Sequence, residues 1–201
     1  MKKTLSTWML ISMVTLLCAQ EIKTDLIGKK MSAIIKMEEL MKSKVYTSDH
    51  DIIVPGGMAM PIMYIRTEKD IPNLIIEYTF DKKDSTIRRV QYEWDVRNFE
   101  KSDHMVKPLA FDQALIAKYN TLVEQLTLLY GPGTTKGDLT DLSKIEQQGG
   151  LQRTDHWTVN NQFQIQLYTA ITNYYRSNGM VTYIPTHRIR LYLREISNPV
   201  K

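Results

Sequence analysis

Cysteine is almost absent: Cys18 is the only one in 201 residues. It stands in the stretch Leu-Leu-Cys-Ala-Gln-Glu, at the end of a leader-like segment. Met1-Lys2-Lys3 is positive, and Trp8 to Ala19 is uncharged and rich in Leu, Met, Ile and Val, the order of a secretory signal peptide. That run falls short of the roughly 20 apolar residues that span a bilayer, so no membrane span is expected. Lipid attachment at Cys18 calls for small residues before it, and Leu17 is bulky. Cleavage after Ala19 needs only the small residue already there. Residues 1–19 are therefore read as a signal peptide, and the chain from Gln20 as periplasmic or secreted, with anchoring at Cys18 the weaker route. A mature chain of this kind has no disulfide, no thiol nucleophile and no cysteine-bound metal. Its core alone must hold it.

A strong charge of one sign is also lacking. Losing Lys2 and Lys3 takes the formal charge from +4 to +2, which gives little reason to expect a nucleic-acid partner. Motifs of catalysis are missing as well. Gly131-Pro132-Gly133-Thr134-Thr135-Lys136-Gly137 lacks the spacing of a phosphate loop and follows a helix instead of opening one, and no Gly-x-Ser-x-Gly elbow occurs. Three of the four histidines follow an aspartate, in Asp49-His50, Asp103-His104 and Asp155-His156. Histidine with carboxylate is the material of zinc sites and general-base pairs. Yet neighbours on a strand point to opposite faces, and no pair has helical ligand spacing. No cofactor, metal or catalytic residue is expected, and these pairs are read as polar loop ends.

What is present is periodicity. Ile27, Met31, Ile34, Ile35 and Met41 recur at helical spacing between Asp25 and Lys42. Pro61 to Arg66 reads as a short strand, its proline suited to a sheet edge. In Asn73 to Phe80, Leu74, Ile76, Tyr78 and Phe80 face one way and Ile75, Glu77 and Thr79 the other. The same alternation, here with polar partners, recurs from Arg89 to Val96 in Val90, Tyr92, Trp94 and Val96. The turn Asp81 to Ser85 between them would set Ile76 opposite Val90 and Leu74 opposite Tyr92. Phe111, Leu115, Tyr119, Leu122, Leu126 and Leu129 form a second helical stripe, stopped by Gly131-Pro132-Gly133. Strands follow at Arg153 to Val159, at Phe163 to Ile171 and around Ile189 to Arg194. Asn178-Gly179 is a two-residue turn signal, and keeping Ile165, Leu167, Ile189 and Leu191 on one face then requires a break in the ladder near Pro185.

These elements predict a two-layer α+β fold, an antiparallel sheet covered on one face by helices. Their order suggests a duplicated α-β-β-β unit, residues 20–100 and 101–201, closing into one compact domain. Ile75-Ile76-Glu77-Tyr78 and Ile165-Gln166-Leu167-Tyr168 occupy comparable places in the two halves. The helix ending Leu129-Tyr130-Gly131-Pro132, then Trp157 and the alternating strand Phe163 to Ile171, resembles the tandem helix-plus-three-strand domains of the β-lactamase-inhibitor protein group. It is similar too to the small lipoprotein of the bacterial outer-membrane assembly machine. The resemblance is topological and implies partner binding through an open sheet face, without catalysis. This chain departs from the first in lacking cysteines and from the second in its poor lipidation box.

The candidate interface is the C-terminal hairpin. Tyr168, Tyr174, Tyr175, Tyr183 and Tyr192 fall there together with Arg190 and Arg194, and tyrosine and arginine are enriched at interface anchors. The expected function is that of an exported binding protein with a protein partner in the cell envelope. Two other classes are carried beside it: a carrier of a small apolar ligand, suggested by eight methionines between Met31 and Met180, and a hydrolase without a recognisable motif.

Overall fold

A computed structural model of the chain describes residues 22–49 and 51–196. Residues 1–19, read as a signal peptide and containing Cys18, and His50 lie outside the described residues. The elements in chain order are α1 (Met31–Leu40), β1 (Lys44–Tyr46), β2 (Ile62–Arg66), β3 (Leu74–Phe80), β4 (Ile87–Asp95), α2 (Leu109–Tyr130), β5 (Thr134–Asp138), β6 (Leu151–Val159), β7 (Phe163–Thr172), β8 (Arg176–Ser177), β9 (Thr182–Tyr183) and β10 (Thr186–Glu195). Eight strands make one antiparallel sheet in the order β1-β2-β3-β4-β10-β7-β6-β5, while β8 and β9 pair as a separate ribbon. From either edge inward the strands run in chain order, and the two halves meet at β4 and β10. Each half is thus a helix and four strands, one strand more than the sequence reading. The added strands, β1 and β5, are the sheet edges. They are short, and β5 is exposed throughout, so neither shows a hydrophobic alternation.

The helices lie on one face of this sheet, as the alternation predicts. Ile34 of α1 and Leu115, Tyr119, Leu122 and Leu126 of α2 pack with Ile76, Tyr78, Tyr92 and Trp94, and with Leu167, Ile189, Leu191 and Leu193, in one cluster drawn from both halves. The α1 helix is shorter than its periodicity suggests. Gly28 takes a φ of +83°, which breaks the chain between Leu26, itself buried, and the helix. At the end of α2, Tyr130 packs against the core in place of Leu129, which is 64% exposed. Gly131 ends that helix at a φ of +77°, and Trp157 Nε1 donates to the Gly131 carbonyl at 3.0 Å. Pro61 just precedes β2, which is flanked by β1 and β3 and is not an edge strand.

Registers differ from the sequence reading where the chain turns. In the β3–β4 hairpin Phe80 pairs with Ile87 but Thr79 pairs with Arg89, so Arg88 is bulged. Ile76 therefore faces Tyr92 and Leu74 faces Trp94, two residues along from expectation. An even slip keeps every side chain on its intended face. In the C-terminal hairpin Leu167 faces Leu191 and Ile165 faces Leu193. The turn is not the plain two-residue type: Asn178 Oδ1 accepts from the amides of Met180 at 3.1 Å and Val181 at 2.8 Å, closing a longer loop. The ladder breaks beside Pro185, between the Thr172–Thr186 and Arg176–Tyr183 pairs, and the surplus residue lies in the 173–175 segment opposite. The matched tetrapeptides fall on equivalent strands, β3 and β7, but out of phase. Tyr78 points into the core, whereas Tyr168 lies on the outer face.

Each half carries one buried carboxylate held by a tyrosine and an arginine. In the first, Glu38 accepts from Arg66 Nη2 at 2.7 and 2.8 Å and from the hydroxyls of Tyr78 and Ser43. In the second, Asp155 accepts from the Tyr119 hydroxyl at 2.6 Å, from Arg153 Nε at 2.8 Å and from Thr135. These bonds fix each helix against its half of the sheet. Removing one charge of a buried pair strands the other. Glu38→Gln is therefore expected to lower the unfolding free energy by about 3 kcal/mol, measured by urea denaturation. A change within a few tenths would contradict a role for the pair.

Candidate binding face

Strand alternation gives the sheet a second face, which the helices leave uncovered. Across its middle run four registered pairs: Asp95–Arg188, Glu93–Arg190, Gln91–Tyr192 and Arg89–Arg194. The two halves treat this face differently. The connection from β1 to β2, residues 47–61, crosses it in the first half. There Ile52 joins Tyr46, Met63, Ile75, Glu77 and Lys101 around a cleft of about 180 Å³, and Asp49 pairs with Lys101 at 2.8 Å. Ile75, although on the outer face, is 3% exposed. The corresponding connection in the second half, residues 139–150, instead sends Leu139 and Ile145 into the core. The outer face of β10, β7 and β6 is left to solvent.

On that open half the structure gathers most of the predicted interface residues. Tyr168, Tyr174 and Tyr183 line one cleft of about 210 Å³ with Arg188, Gln152 and Thr186. The rings of Tyr174 and Tyr183 meet edge to face at 6.0 Å. Along β10 the Arg194 guanidinium lies 4.3 Å above the Tyr192 ring. Arg190 is placed beside them but is engaged within the sheet, its Nε donating to Glu93 and its Nη2 lying 3.4 Å from Asp95. Tyr175 does not join the group. Its ring is 3.9 Å from that of His104, in the segment that precedes α2. From Tyr175 to Tyr183 every residue is exposed, Met180 almost completely.

The two Asp–His pairs that lie wholly within the described residues do not converge. Asp155 is buried on the inner face of β6 while His156 is exposed on the outer one, and Asp103 and His104 are both exposed. Asp49 is engaged with Lys101. Among the described residues no group of three or more His, Cys, Asp or Glu side chains is arranged to hold a metal ion. The methionines are dispersed as well. Met31 and Met105 are buried, Met60 and Met180 are exposed, and Met63 lines the cleft under the 47–61 connection.

Among the described residues, the histidine that meets a carboxylate is the one that follows no aspartate. His187 Nε2 lies 3.3 Å from Asp112 Oδ1, both side chains fully buried between β10 and α2. Asn173 orients the ring. Its Nδ2 donates to the Lys107 carbonyl and to Glu146, so its Oδ1, 3.0 Å from His187 Nε2, must be the acceptor and Nε2 the protonated nitrogen. Nδ1 of His187 and both Asp112 oxygens are left buried without a hydrogen-bond partner. Burial, reinforced by Glu146, pushes the Asp112 carboxyl up to about 7. Burial, aided by Lys107 and opposed by Glu100, takes the His187 imidazole down to about 4. The signal was in the sequence: His187 shares strand parity with Ile189 and Leu191, and Asp112 stands three residues before Leu115.

No family model, curated protein or solved structure matches the chain.

The buried pair gives a pH signature. A raised carboxyl stabilises the fold at low pH and loses that contribution as pH rises from about 4 to about 7, whereas a depressed imidazole gains stability over nearly the same window. The two slopes offset in the natural chain. Asp112→Asn should therefore gain stability relative to the natural chain by about 1 kcal/mol per pH unit across that window, and His187→Gln should lose it at a similar rate. Denaturation at several pH values checks the opposite signs. Profiles parallel to that of the natural chain would contradict them.

Proposed function

We propose that the chain is an exported, non-catalytic binding protein that receives a protein partner of the cell envelope on the outer face of its second half. The observation that carries this reading is the convergence of Tyr168, Tyr174 and Tyr183, from β7, from the segment after it and from β9, into one cleft. That cleft opens on the sheet face that, among the described residues, neither helix covers. Tyrosines of this kind offer large contact area with a polar tip at small entropic cost. The Tyr192–Arg194 stack beside them is already ordered. The adjoining ribbon, with Met180 96% and Val181 48% exposed, extends the apolar contact surface. Export rests on the leader-like order of residues 1–19, and the topological resemblance to exported inhibitor-like domains points the same way. No described helix is long and apolar enough to cross a membrane.

Arg190 is a poor probe of this surface, because its removal takes the ion-pair partner from Glu93 and one of two from Asp95, both largely buried. Tyr168 and Tyr183 are cleaner. Changing both to alanine should alter the unfolding free energy by no more than about 1 kcal/mol. It should weaken a partner identified by cross-linking in the native envelope by about thirtyfold, the weight of one anchoring side chain. Undiminished affinity in the double variant would refute the face as the binding surface. Mass spectrometry of the N-terminus tests export, and a lipid-modified Cys18 would contradict free release.

A further inference from the structure

The outer face of the β4–β10 seam is a ladder of charge with one faulty rung. Asp95 faces Arg188 and Glu93 faces Arg190, so these two arginines of β10 each meet a carboxylate across the strand gap. Two rungs further on, Arg194 faces Arg89. Like charges directly opposed on neighbouring strands are unfavourable. The local compensation is incomplete. Arg89 Nη2 donates to Glu77 at 2.9 Å and to Gln91 Oε1 at 3.3 Å. Arg194 forms no ion pair among the described residues and rests on the Tyr192 ring. Among the described residues Glu77 is the one carboxylate that reaches this rung, and it also accepts from Thr79.

The hydrogen-bonding inventory points the same way. The Nε atoms of Arg89 and Arg194 are buried and have no acceptor, and neither has that of Arg188, whose Nη1 nevertheless lies 3.8 Å from Asp95. Gln91 has spent its carbonyl oxygen on Arg89, and its amide N–H groups remain. The rung sets two guanidinium groups against the single carboxylate of Glu77, which pairs with Arg89, and what it lacks is a second acceptor carrying negative charge. A donor left without an acceptor away from water costs about 1–3 kcal/mol, and the two residues that carry these donors are paired across the strand gap.

We propose that the Arg89–Arg194 rung receives a carboxylate from an acidic segment of a partner polypeptide. The bound carboxylate completes the ladder as Asp95 and Glu93 complete its neighbouring rungs, accepting from the two guanidinium groups in the paired geometry that arginine offers. An extended acidic segment running along β10 also passes Tyr192 and the cleft of Tyr168. The inference deepens the proposed function and rests on the outer face being a binding surface. It names the chemistry that this face takes.

The test reads the arginine Nε–H resonances of the full mature chain by nitrogen-15 NMR, with an acetylated, amidated pentaglutamate peptide as probe. Inorganic phosphate and glutarate are titrated separately at matched ionic strength. The expected result is a saturable shift of the Arg89 and Arg194 Nε–H signals by the peptide, at concentrations about tenfold below those at which either small anion acts. In Arg194→Gln the Arg89 response should vanish. The melting temperature of that variant without ligand should be unchanged or higher, since the like-charge contact is gone. Arg89→Gln is the second variant and should abolish the Arg194 response. Signals unmoved by the peptide, a response that survives in Arg194→Gln, or saturation by phosphate or glutarate at lower concentration than the peptide would each overturn the proposal. The outcome is separable from that of the face itself: loss of partner binding on removing Tyr168 and Tyr183, with no peptide response here, would leave the face standing and remove only its carboxylate receptor.

Discussion

The pairing of β4 with β10 is the constraint on which the rest of this structure depends. Seven registered pairs, Arg89–Arg194 to Asp95–Arg188, join strands about a hundred residues apart and turn two four-stranded halves into one eight-stranded sheet. Inward, the same pairing brings Val90, Tyr92 and Trp94 against Leu193, Leu191 and Ile189, all essentially inaccessible to solvent. Without it each half would expose its innermost strand as an unpaired edge and open half of the core to water. Nothing covalent supports the seam. In a chain whose only cysteine is Cys18, closure rests on backbone hydrogen bonds and buried apolar area.

The seam also creates the surface on which a functional reading can stand. Because strands alternate, a core face this apolar leaves an opposite face whose residues are free to vary. In the first half that freedom is taken up by the 47–61 connection, with Ile52 near Ile75 and Asp49 tied to Lys101. In the second half the corresponding connection turns inward through Leu139 and Ile145, so Tyr168, Tyr192 and the arginines of β10 stay accessible. One architecture, with two different loop paths, yields one covered and one open face.

Much of the fold was legible because burial imposes period. The alternation Leu74-Ile76-Tyr78 against Val90-Tyr92-Trp94 located the core hairpin, and the step Leu115-Tyr119-Leu122-Leu126 located the long helix. The losses have physical causes. Register failed where a bulge at Arg88 and a side-chain-closed loop at Asn178 changed the residue count without changing polarity. The edge strands β1 and β5 failed because exposed residues carry no pattern. Buried Asp112, Glu38 and His187 were overlooked because they are polar at apolar positions, where pattern alone reads them as solvent-facing. At the candidate face, composition located the tyrosines, but sequence could not show that Arg190 is spent within the sheet or that Tyr175 stacks on His104.

Native-state hydrogen exchange tests the central claim most directly, since it reads the stability of each strand separately. If the β4–β10 seam makes the two halves one cooperative unit, the slowest amides of β3, β4, β7 and β10 should exchange with a single free energy. That value should equal the global unfolding free energy and fall equally at all four strands as denaturant is added. Two distinct values, with β3 and β4 opening while β7 and β10 stay protected or the reverse, would show that the halves unfold independently and that the seam is not what holds them.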